Sequence, residues 1–300
     1  MNATEADPGA IQNISDTARW VAFYRAMESE RADAHFRDPW ARRLAGERGE
    51  AIVDAMPRGR AMAWPMIVRT CLLDEMILRI VREEGADAML NLAAGLDARP
   101  WRLDFPAGFT WYDVDLPGIL EYKRGVIGGE PARCAHHAIA ADLRDAGARR
   151  AVFARVAGAH RRVVVVSEGL IVYLPAADVA ALGRDLAAQP AFAWWLTDLA
   201  SPRLLRFMRG RWSKRLDSGN ATMQFAPAEG TAFFAPLGWH EQEFRSIWYE
   251  SVQLKRTLPM AGFWQFVGRF LGEKRREEWR RFSGVVRLGR PGAPGPLPRG

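Results

Sequence analysis

The chain of 300 residues is poor in cysteine and lacks a long apolar run. Its two cysteines, Cys71 and Cys134, lie far apart and form neither a CxxC pair nor a cysteine–histidine cluster, which argues against a disulfide framework and a zinc site. No apolar stretch approaches the roughly 20 residues that cross a bilayer, and the acidic N-terminus is unlike a signal peptide. We therefore expect a soluble, cytoplasmic protein with no metal and no membrane partner.

Lysine is also scarce, because only four of the 42 basic residues are lysines. The net charge of +7 thus comes from arginine, and such a balance attracts nucleic acid or acidic substrates. The arginines are spread along the chain rather than gathered in one block. The dense run at 274–281 mixes acidic with basic residues, which is typical of a solvated helix face. We therefore favour a protein without a nucleic-acid partner.

The most informative stretch is residues 91–99, Asn-Leu-Ala-Ala-Gly-Leu-Asp-Ala-Arg. It predicts a buried strand that ends in a small-residue turn able to admit an adenosyl cofactor. Asp113 and Asp115 close the next apolar run, and a carboxylate at the tip of a second strand suits a ribose diol. Two neighbouring strand tips are thus expected to face one ligand.

Apolar strands alternate with helices through the middle of the chain. The β-branched run from Val163 to Val166 is typical of a strand covered on both faces. Alternation of this kind predicts an α/β fold with a mostly parallel sheet, in which ligands bind beyond the carboxyl ends of the strands. The predicted strands are 88–93, 109–115, 134–140, 162–166 and 192–199, and the predicted helices are 117–127, 144–157 and 175–188.

The regions on either side of this alternation are organised differently. An N-terminal helical region, 1–85, contains predicted helices at 15–27 and 65–83 and a short one that reaches Leu44. A core, 86–290, carries an inserted helix and loop at about 201–235. Beyond the insertion we predict a helix that begins in 238–246, an edge strand at 249–258, a helix at 263–282, a last strand at 285–288 and a flexible tail at 291–300.

Six short stretches, which include the two strand ends described above, follow one another along residues 15–175. They are Asp16-Thr17-Ala18-Arg19-Trp20-Val21-Ala22 with Arg25-Ala26 and Asp38-Pro39; Arg69-Thr70; residues 92–99; Asp113-Val114-Asp115-Leu116-Pro117; Ala141-Asp142-Leu143; and residues 167–174. Together they resemble the leucine carboxyl methyltransferase family and its bacterial O-methyltransferase relatives, which use S-adenosylmethionine (SAM). The resemblance implies SAM as cofactor and a seven-stranded, Rossmann-like class I methyltransferase sheet with an N-terminal helical lid and an insertion after the fifth strand.

The resemblance also implies roles for individual residues in binding SAM. Arg69 matches the arginine that binds the cofactor carboxylate, and Gly95 lets the backbone approach the methionyl part. Asp115 matches the residue that binds the ribose hydroxyls, with Asp113 as second choice. The remaining matches are Asp142 and Leu143 at the adenine, Glu168 at the cofactor ammonium and Arg25 on the lid helix.

Each of these residues also has a structural interpretation that the sequence leaves open. Arg69 fits a surface position on a helix, and Gly95 fits an ordinary strand-to-helix turn. One of the two aspartates fits a helix cap, and Glu168 fits a buried ion pair with an arginine. Asp97 and Arg99 are expected to form an ion pair that steadies the turn.

The chain departs from the family at two positions of the turn. Relatives usually read Leu-Gly-Ala-Gly-Leu-Asp-Thr-Arg, whereas this chain has Ala93 for the first glycine and Ala98 for the threonine. Alanine disfavours a positive φ, so a requirement for a left-handed residue at Ala93 would weaken cofactor binding. Gly95 is retained and is expected to preserve the closest contact.

The residues also bear on the methyl acceptor. A carboxylate is ionised at pH 7, whereas a phenol with a pKa near 10 needs a base. The histidines lie in no motif with a partner acid and are expected to be surface or satisfied residues: His136, His137, His160 and His240. Together with the resemblance, this favours methyl ester formation on the carboxylate of a small molecule or of a peptide C-terminus.

No catalytic residue is assigned, and Tyr173 and Tyr24 are candidates to assist. Trp20 and Phe23 are expected to be core residues. Arginines of the insertion are candidate partners of the acceptor carboxylate, namely Arg203, Arg206, Arg209 and Arg211.

Other functions stay open on the sequence alone. One is O-methylation of a phenol or hydroxyl of a secondary metabolite, and another is SAM binding without catalysis. An NAD-dependent oxidoreductase would need a GxGxxG turn, where residues 93–98 read Ala-Ala-Gly-Leu-Asp-Ala. A nucleic-acid-binding or nucleic-acid-modifying protein is a further alternative, but no Asn-Pro-Pro-Tyr-like tetrapeptide follows the fourth strand, where residues 167–170 read Ser-Glu-Gly-Leu. The sequence does not determine the oligomeric state.

Overall fold

A computed structural model of the chain describes residues 14–216, 222–258, 260–268, 270 and 272–291. Its centre is a seven-stranded sheet with the order β3-β2-β1-β4-β5-β7-β6, in which β7 is antiparallel to both neighbours and the other pairs are parallel. The predicted α/β fold with a seven-stranded, mostly parallel sheet is therefore confirmed. The strands are β1 (Ala88–Leu92), β2 (Thr110–Asp115), β3 (Ala135–Ala140), β4 (Val163–Ser167), β5 (Phe192–Ala200), β6 (His240–Ser246) and β7 (Ser283–Gly289).

Helices precede the sheet, connect its strands and follow β5. They are α1 (Ile14–Ser29), α2 (Ala41–Ala55), α3 (Trp64–Glu83), α4 (Arg99–Arg102), α5 (Pro117–Ile127), α6 (Ala146–Ala159), α7 (Ala176–Ala187), α8 (Pro202–Leu216), α9 (Ile247–Gln253), α10 (Ala261–Gly268) and α11 (Glu273–Arg280). Short 3-10 helices lie at Arg60–Met62, Ile171–Tyr173 and Gly230–Leu237. Proline in the first turn of α5 fits a helix start, since it lacks only an N–H that has no intrahelical partner there.

Alternate residues of the central strands face opposite sides of the sheet, so each strand is covered twice. In β4, Val163 and Val165 join one core with α6 and α7, whereas Val164 and Val166 join another with α3. All five residues of β4 are buried. The β-branched run thus forms the doubly covered strand that the sequence predicts.

The N-terminal helices pack on one another and on the loops at one edge of the sheet. Helices α1 and α2 share a core that includes Phe23, Leu44 and Val53, so Phe23 is a core residue as expected. Arg256, just after α9, pairs with the buried Glu28 of α1 at 2.7 Å (Nε to Oε2). This buried ion pair ties α1 to the C-terminal half of the chain.

Two predictions for the C-terminal region are wrong. Residues 240–246 form strand β6 instead of a helix, because the free edge of β7 carries backbone N–H and C=O groups that β6 satisfies. An edge strand buries few side chains, so β6 has a polar sequence that lacks the apolar alternation by which a strand is predicted. Residues 247–253 form α9 instead of an edge strand, and Ile247 and Ser251 are buried one helical turn apart.

Other predictions for this region are refined or lie outside the described residues. The helix predicted at 263–282 is two helices, α10 and α11. The predicted insertion contains α8 and the 3-10 helix Gly230–Leu237, while 217–221 lie outside the described part. So do residues 1–13 and the predicted tail beyond residue 291. The division into a lid region and a core stays a prediction. None of the helices in the described ranges has the length and apolar character of a membrane span.

A buried ion pair joins the end of α3 to the inner strand β7. Both Nη atoms of Arg287 donate to the carboxylate of Glu84, and both residues are buried. Gln242 of β6 accepts from Arg287 Nε at 2.8 Å. Because this arginine is fully buried, it requires an ionic partner inside the protein.

We predict that Glu84→Gln lowers the free energy of unfolding by about 3 kcal/mol, because it leaves the charge of Arg287 buried without its partner. Urea denaturation checks this. The matched control is Glu277→Gln, whose partners Arg280 and Arg281 are partly exposed, and it should change stability by less than about 0.5 kcal/mol. Equal effects of the two substitutions would contradict the prediction.

Candidate functional site

A cavity of about 930 Å³ lies at the carboxyl edge of the parallel strands. Its polar end is formed by the turn after β1, by Asp115 at the end of β2, by Glu168 after β4 and by Asp198 in β5. Helix α1 contributes Arg25 to its wall, and α3 contributes Arg69. The fold thus brings strand-end residues to one cavity, where ligands bind in open parallel sheets.

The turn after β1 is anchored by Asp115. Gly95 has a left-handed φ of +51°, and its N–H donates to Asp115 Oδ2 at 2.7 Å, while Leu116 N–H donates to Oδ1 at 2.7 Å. A Cβ on residue 95 would lie 3.3 Å from Ala18 Cβ, so α1 approaches closely because residue 95 is glycine. Burial raises the pKa of Asp115 although the two backbone donors oppose that rise.

Ala93 has a φ of +52°, in the left-handed region that residues with a Cβ rarely adopt. The turn therefore needs a left-handed residue at the position where relatives usually have glycine. The weakening of cofactor binding by alanine at position 93 stays a prediction. Arg25 of α1 reaches the same turn, since its Nη2 donates to Leu96 O at 2.6 Å and its Nε pairs with Asp38 at 2.9 Å.

Seven charged side chains form one ion cluster along the polar end of the cavity. Arg99 lies at its centre, with Nε 2.6 Å from Asp74 Oδ1 and Nη1 2.6 Å from Asp97 Oδ2, so the predicted pair of Asp97 and Arg99 forms. Four carboxylates against three guanidinium groups leave the cluster with one negative charge. Its members are Asp74, Asp97, Glu168, Asp198, Arg69, Arg99 and Arg102.

Arg69 and Glu168 are the members of the ion cluster that were predicted to bind cofactor. Arg69 lies between two carboxylates, with Nε 2.9 Å from Glu168 Oε1 and Nη1 3.0 Å from Asp198 Oδ2. The first contact has ion-pair distance without hydrogen-bond geometry, so the buried Nε has no hydrogen-bond acceptor within the described residues. Glu168 also pairs with Arg99 at 2.9 Å and thereby has the ion pairs that its structural interpretation predicts.

The pKa values of these carboxyl groups reflect two opposed effects. Burial by itself raises the pKa of Glu168, but the guanidinium groups of Arg69 and Arg99 outweigh burial and lower it to about 2. The pKa of Asp74 is lowered in the same way by Arg102 and Arg99. These carboxylates of the ion cluster are therefore ionised at neutral pH.

Asp113, the second choice for the ribose, does not line the cavity in the described structure. It is fully buried and accepts from Lys123 Nζ at 2.7 Å and Trp111 Nε1 at 2.8 Å, and His136 Nε2 lies 2.7 Å away. Lys123 and His136 lower its pKa far below the usual range, although burial opposes them. Asp113 thus has a structural role between β2, β3 and α5, and His136 is a satisfied histidine whose partner acid the sequence did not reveal.

Asp142 and Leu143 follow β3, next to the strand that ends in Asp115. Neither belongs to the described cavity lining. The Asp142 carboxylate pairs with Arg144 at 2.7 Å, and Leu143 packs against the core that contains α6 and α7. Contact of these residues with an adenine ring stays a prediction.

The two tyrosine candidates lie in different places. Tyr24 is buried in the core of α1 and α2, where its hydroxyl donates to Gly59 O at 2.8 Å, and it is not in the described cavity lining. Tyr173, in the 3-10 helix after β4, does line the cavity. Burial raises the pKa of both hydroxyls to about 12. Tyr173 is thus the candidate that lines the cavity, and an assisting role for either tyrosine stays a prediction.

The opposite end of the cavity is apolar, and we call it the apolar chamber. Helix α8 directs Leu204, Phe207 and Met208 to it, whereas the candidate acceptor-binding residues of α8, Arg203, Arg206 and Arg209, are exposed outside the cavity lining. A role of these three arginines in acceptor binding stays a prediction, and the side chain of Arg211 lies outside the described residues. The apolar chamber is defined by Trp64, Leu204, Phe207, Met208, Trp248 and Trp279.

Some site residues were not predicted from the sequence. Asp198 accepts from Gly169 N–H at 2.6 Å and pairs with Arg69, and its position near the end of β5 is a signal like the one that identified Asp115. Asp74 lies inside α3, where no sequence pattern marks it. Trp20, expected to be a core residue, is buried and also lines the cavity. Across the described residues, no group of His, Cys, Asp or Glu is placed to hold a metal ion.

Comparison with known proteins gives consistent matches. Residues 18–187 match the leucine carboxyl methyltransferase family. A Mycobacteroides abscessus protein, named provisionally as a SAM-dependent methyltransferase, is 38% identical over 181 residues that cover 56% of this chain and 57% of that protein. A Streptomyces coelicolor protein with the same provisional name is 35% identical, over 58% of this chain and 65% of its own length. A Parafrankia protein, also so named, is 31% identical over 87% of this chain and 88% of its own length.

Two crystal structures share the fold. A DUF574-family protein from Streptomyces avermitilis has a TM-score of 0.57 at 12% identity, over 92% of this chain and 97% of that one. A Thermobifida fusca protein provisionally titled a methyltransferase has a TM-score of 0.54 at 13% identity, over 93% and 95% of the two chains. At such low identities the likeness shows the fold alone.

We predict that Ala93→Gly raises the free energy of unfolding by about 1 kcal/mol, because it relieves the left-handed strain. Urea denaturation of the two proteins measures the difference. Ala94→Gly is the control, since Ala94 has no positive φ and its replacement should lower stability by about 0.5–1 kcal/mol. A stability loss in both variants would show that residue 93 is not strained.

We predict a pH-dependent effect of Glu168→Gln. The folded-state pKa of about 2 lies below the usual 4.5, so the ion pairs of Glu168 stabilise the fold above about pH 4.5 and lose that contribution as the pH falls toward 2. The variant should be less stable by about 3 kcal/mol at pH 7, and the difference should shrink at pH 3. Urea denaturation at several pH values tests this, with exposed Glu130→Gln as control. A difference independent of pH would refute the assignment.

Proposed function

The chain belongs to the leucine carboxyl methyltransferase family of SAM-dependent methyltransferases, and we propose that it methylates a carboxylate oxygen to form a methyl ester. The observation that carries this proposal is one cavity with a polar end and an apolar end. The Gly95 turn, Asp115 and the five members of the ion cluster that line the cavity form the polar end. Family membership and the names of the relatives support SAM as the cofactor, while the class of methyl acceptor is inferred from the cavity.

The polar end suits SAM in charge and in the backbone access that its glycines provide. Gly95 and Gly169 both have positive φ, and their missing side chains leave backbone accessible at the cavity wall. The ion cluster carries one net negative charge, which complements a ligand whose ammonium and sulfonium outweigh its carboxylate. The buried Nε of Arg69 lies 2.9 Å from Glu168 Oε1 without hydrogen-bond geometry, so its N–H makes no hydrogen bond within the described residues.

We assign SAM-binding roles to the residues that meet these requirements. Asp115 would accept from the ribose hydroxyls with lone pairs that its two backbone donors leave available. Arg69 would bind the cofactor carboxylate, and Glu168 would face the ammonium. Arg25 would position the turn through its bond to Leu96 O.

When bound, SAM supplies a methyl group that passes to the acceptor oxygen as the carbon–sulfur bond breaks and its electron pair stays on sulfur. A carboxylate loses no proton in this reaction, so the chain needs no base. The described cavity lining contains no histidine. Three of its carboxylates, Asp97, Glu168 and Asp198, are paired with arginines, and the fourth, Asp115, accepts from two backbone N–H groups. Tyr173, with its pKa raised to about 12, keeps its proton at pH 7 and would donate a hydrogen bond.

The same residues weigh against a phenol or alcohol as acceptor. Such an acceptor must lose a proton, and Asp97, Glu168 and Asp198 are engaged in ion pairs with arginines, which lower the pKa of Glu168 to about 2. The remaining described carboxylate of the lining, Asp115, is held by two backbone N–H groups and is assigned to the ribose. With a carboxylate acceptor, the chain would accelerate methyl transfer mainly by alignment of the reactants and by exclusion of water, which is worth roughly 7–11 kcal/mol in favourable cases. An ionised carboxylic acid needs nothing further.

We predict that calorimetry detects SAM binding and that Asp115→Ala weakens it at least tenfold, because a charge-assisted hydrogen bond to the ribose is lost. Asp115→Asn retains one acceptor oxygen and should lose less. Asp104→Ala removes an exposed aspartate paired with Arg133 and serves as control. Unchanged affinity in Asp115→Ala, or tighter binding of NAD than of SAM, would refute the cofactor assignment.

The proposed product has its own test. Protein incubated with methyl-tritiated SAM and a panel of carboxylic acids should release base-labile tritium as methanol, the signature of a methyl ester. If a panel of phenols instead yields tritium label that base does not release, the proposed reaction would change to phenol methylation.

A further inference from the structure

The apolar chamber is built from side chains with little capacity for hydrogen bonding. Its six residues carry no carboxylate, amide or hydroxyl group, and their donors are the indole N–H groups of three tryptophans. The three indoles form a row, with ring centroids 6.1 Å apart between Trp64 and Trp248 and 6.3 Å apart between Trp248 and Trp279. A ligand part buried here gains stability through apolar and aromatic contact.

The mouth of the apolar chamber is apolar as well. Phe207 and Trp279 line the cavity while 55% and 40% exposed. Leu258 also lines the cavity and is 37% exposed. Exposed apolar side chains that continue into a cavity mark the entry of an apolar ligand, because they cost free energy in water unless something covers them.

Arg58 differs from the other arginines of the cavity lining. Arg25, Arg69 and Arg99 are each paired with carboxylates. In the described part of the chain, Arg58 lines the cavity with no carboxylate at ion-pair distance and is exposed. It is therefore the described lining cation that remains available to an incoming anion.

The backbone around Arg58 is tightly fixed. Arg58 has a left-handed φ of +57°, which is unfavourable for a residue with a side chain. A Cβ on Gly59 would lie 2.0 Å from Val53 O, so only glycine fits there. Tyr24 donates to Gly59 O at 2.8 Å. Strain that surrounding contacts maintain is typical of functional positions.

From these observations, and resting on the proposed methyltransferase function, we propose that the acceptor is an amphipathic monocarboxylic acid with a bulky hydrocarbon or aromatic body. Its body occupies the apolar chamber, and Arg58 pairs with its carboxylate. A carboxylate oxygen then forms the new bond to the methyl carbon, the carbon–sulfur bond breaks with its electron pair left on sulfur, and no proton moves.

A peptide C-terminus fits the apolar chamber less well. A buried peptide segment brings amide N–H and C=O groups that need partners, and the chamber side chains offer no acceptor of amide protons. A short polar acid leaves the chamber without contact. The tryptophan row and the exposed mouth therefore select for apolar bulk rather than for a peptide.

The test measures binding of acids without methyl transfer. Calorimetry with acetate, octanoate and dodecanoate, each below its micelle concentration, is performed on the protein alone and with S-adenosylhomocysteine added. We expect octanoate to bind at least a hundredfold more tightly than acetate, since each buried methylene contributes about threefold to fourfold. An acetyl-dipeptide ending in leucine should bind more weakly than octanoate.

Substitutions at two residues separate the contributions of Arg58 and the apolar chamber. Arg58→Gln should weaken dodecanoate about tenfold and leave dodecanol unchanged, and Arg58→Lys should recover part of the loss. Phe207→Ala should weaken both ligands about fivefold. Phe266→Ala is the matched control, because Phe266 is 54% exposed and lies outside the described cavity lining, so binding should stay within twofold.

The outcomes distinguish this inference from the proposed function. Methyl transfer to the peptide or to acetate with no preference for apolar acids would overturn the inference and leave the methyltransferase assignment standing. Equal dodecanoate binding by wild type and Arg58→Gln would also overturn it. Failure to bind SAM would refute the proposed function alone, since the acid measurements on the protein without cofactor still decide whether the apolar chamber takes a carboxylic acid.

Discussion

The site depends on the pairing of Arg99 with three carboxylates at once. Charges taken out of water are tolerated only when opposite charges meet them, so this arginine fixes the relative positions of the groups that surround it. Asp74 comes from α3, Asp97 from the turn after β1 and Glu168 from the loop after β4. The pairing therefore holds a helix of the N-terminal region against two strand ends, and the cavity opens where these elements meet.

The cavity divides into two ends with different physical character. At the polar end, fixed charges and backbone donors are already in place, so they need little reorganisation when a charged ligand enters. At the other end, a ligand that covers the apolar chamber would displace water and strengthen the electrostatic interactions nearby. Arg58 lies in the lining of the same cavity. Methyl transfer from a sulfonium cation to a carboxylate anion neutralises both charges without a proton transfer. Such a reaction suits a cavity with a charged end and an apolar end.

Much of the polar end follows from rules that apply to short stretches of sequence. Strand β1 and its small-residue turn were predicted within one or two residues, as were β2 and the position of Asp115 at its tip. Asp113 obeys the same pattern and yet has a structural role, because Lys123 and His136 reach it from neighbouring elements. Strand β6 escaped prediction because edge pairing leaves no apolar alternation in the sequence.

The sequence by itself determined the alternation of strands and helices, the family and the strand-end residues, since each depends on residues close together in the chain. Only the tertiary structure decided which charges pair and which side of α8 faces the cavity. Arg69 and Asp198 are separated by 129 positions, and Arg203 is exposed while neighbouring Leu204 lines the cavity. Such contacts follow from how whole elements pack, and local periodicity carries no information about the partner across the interface.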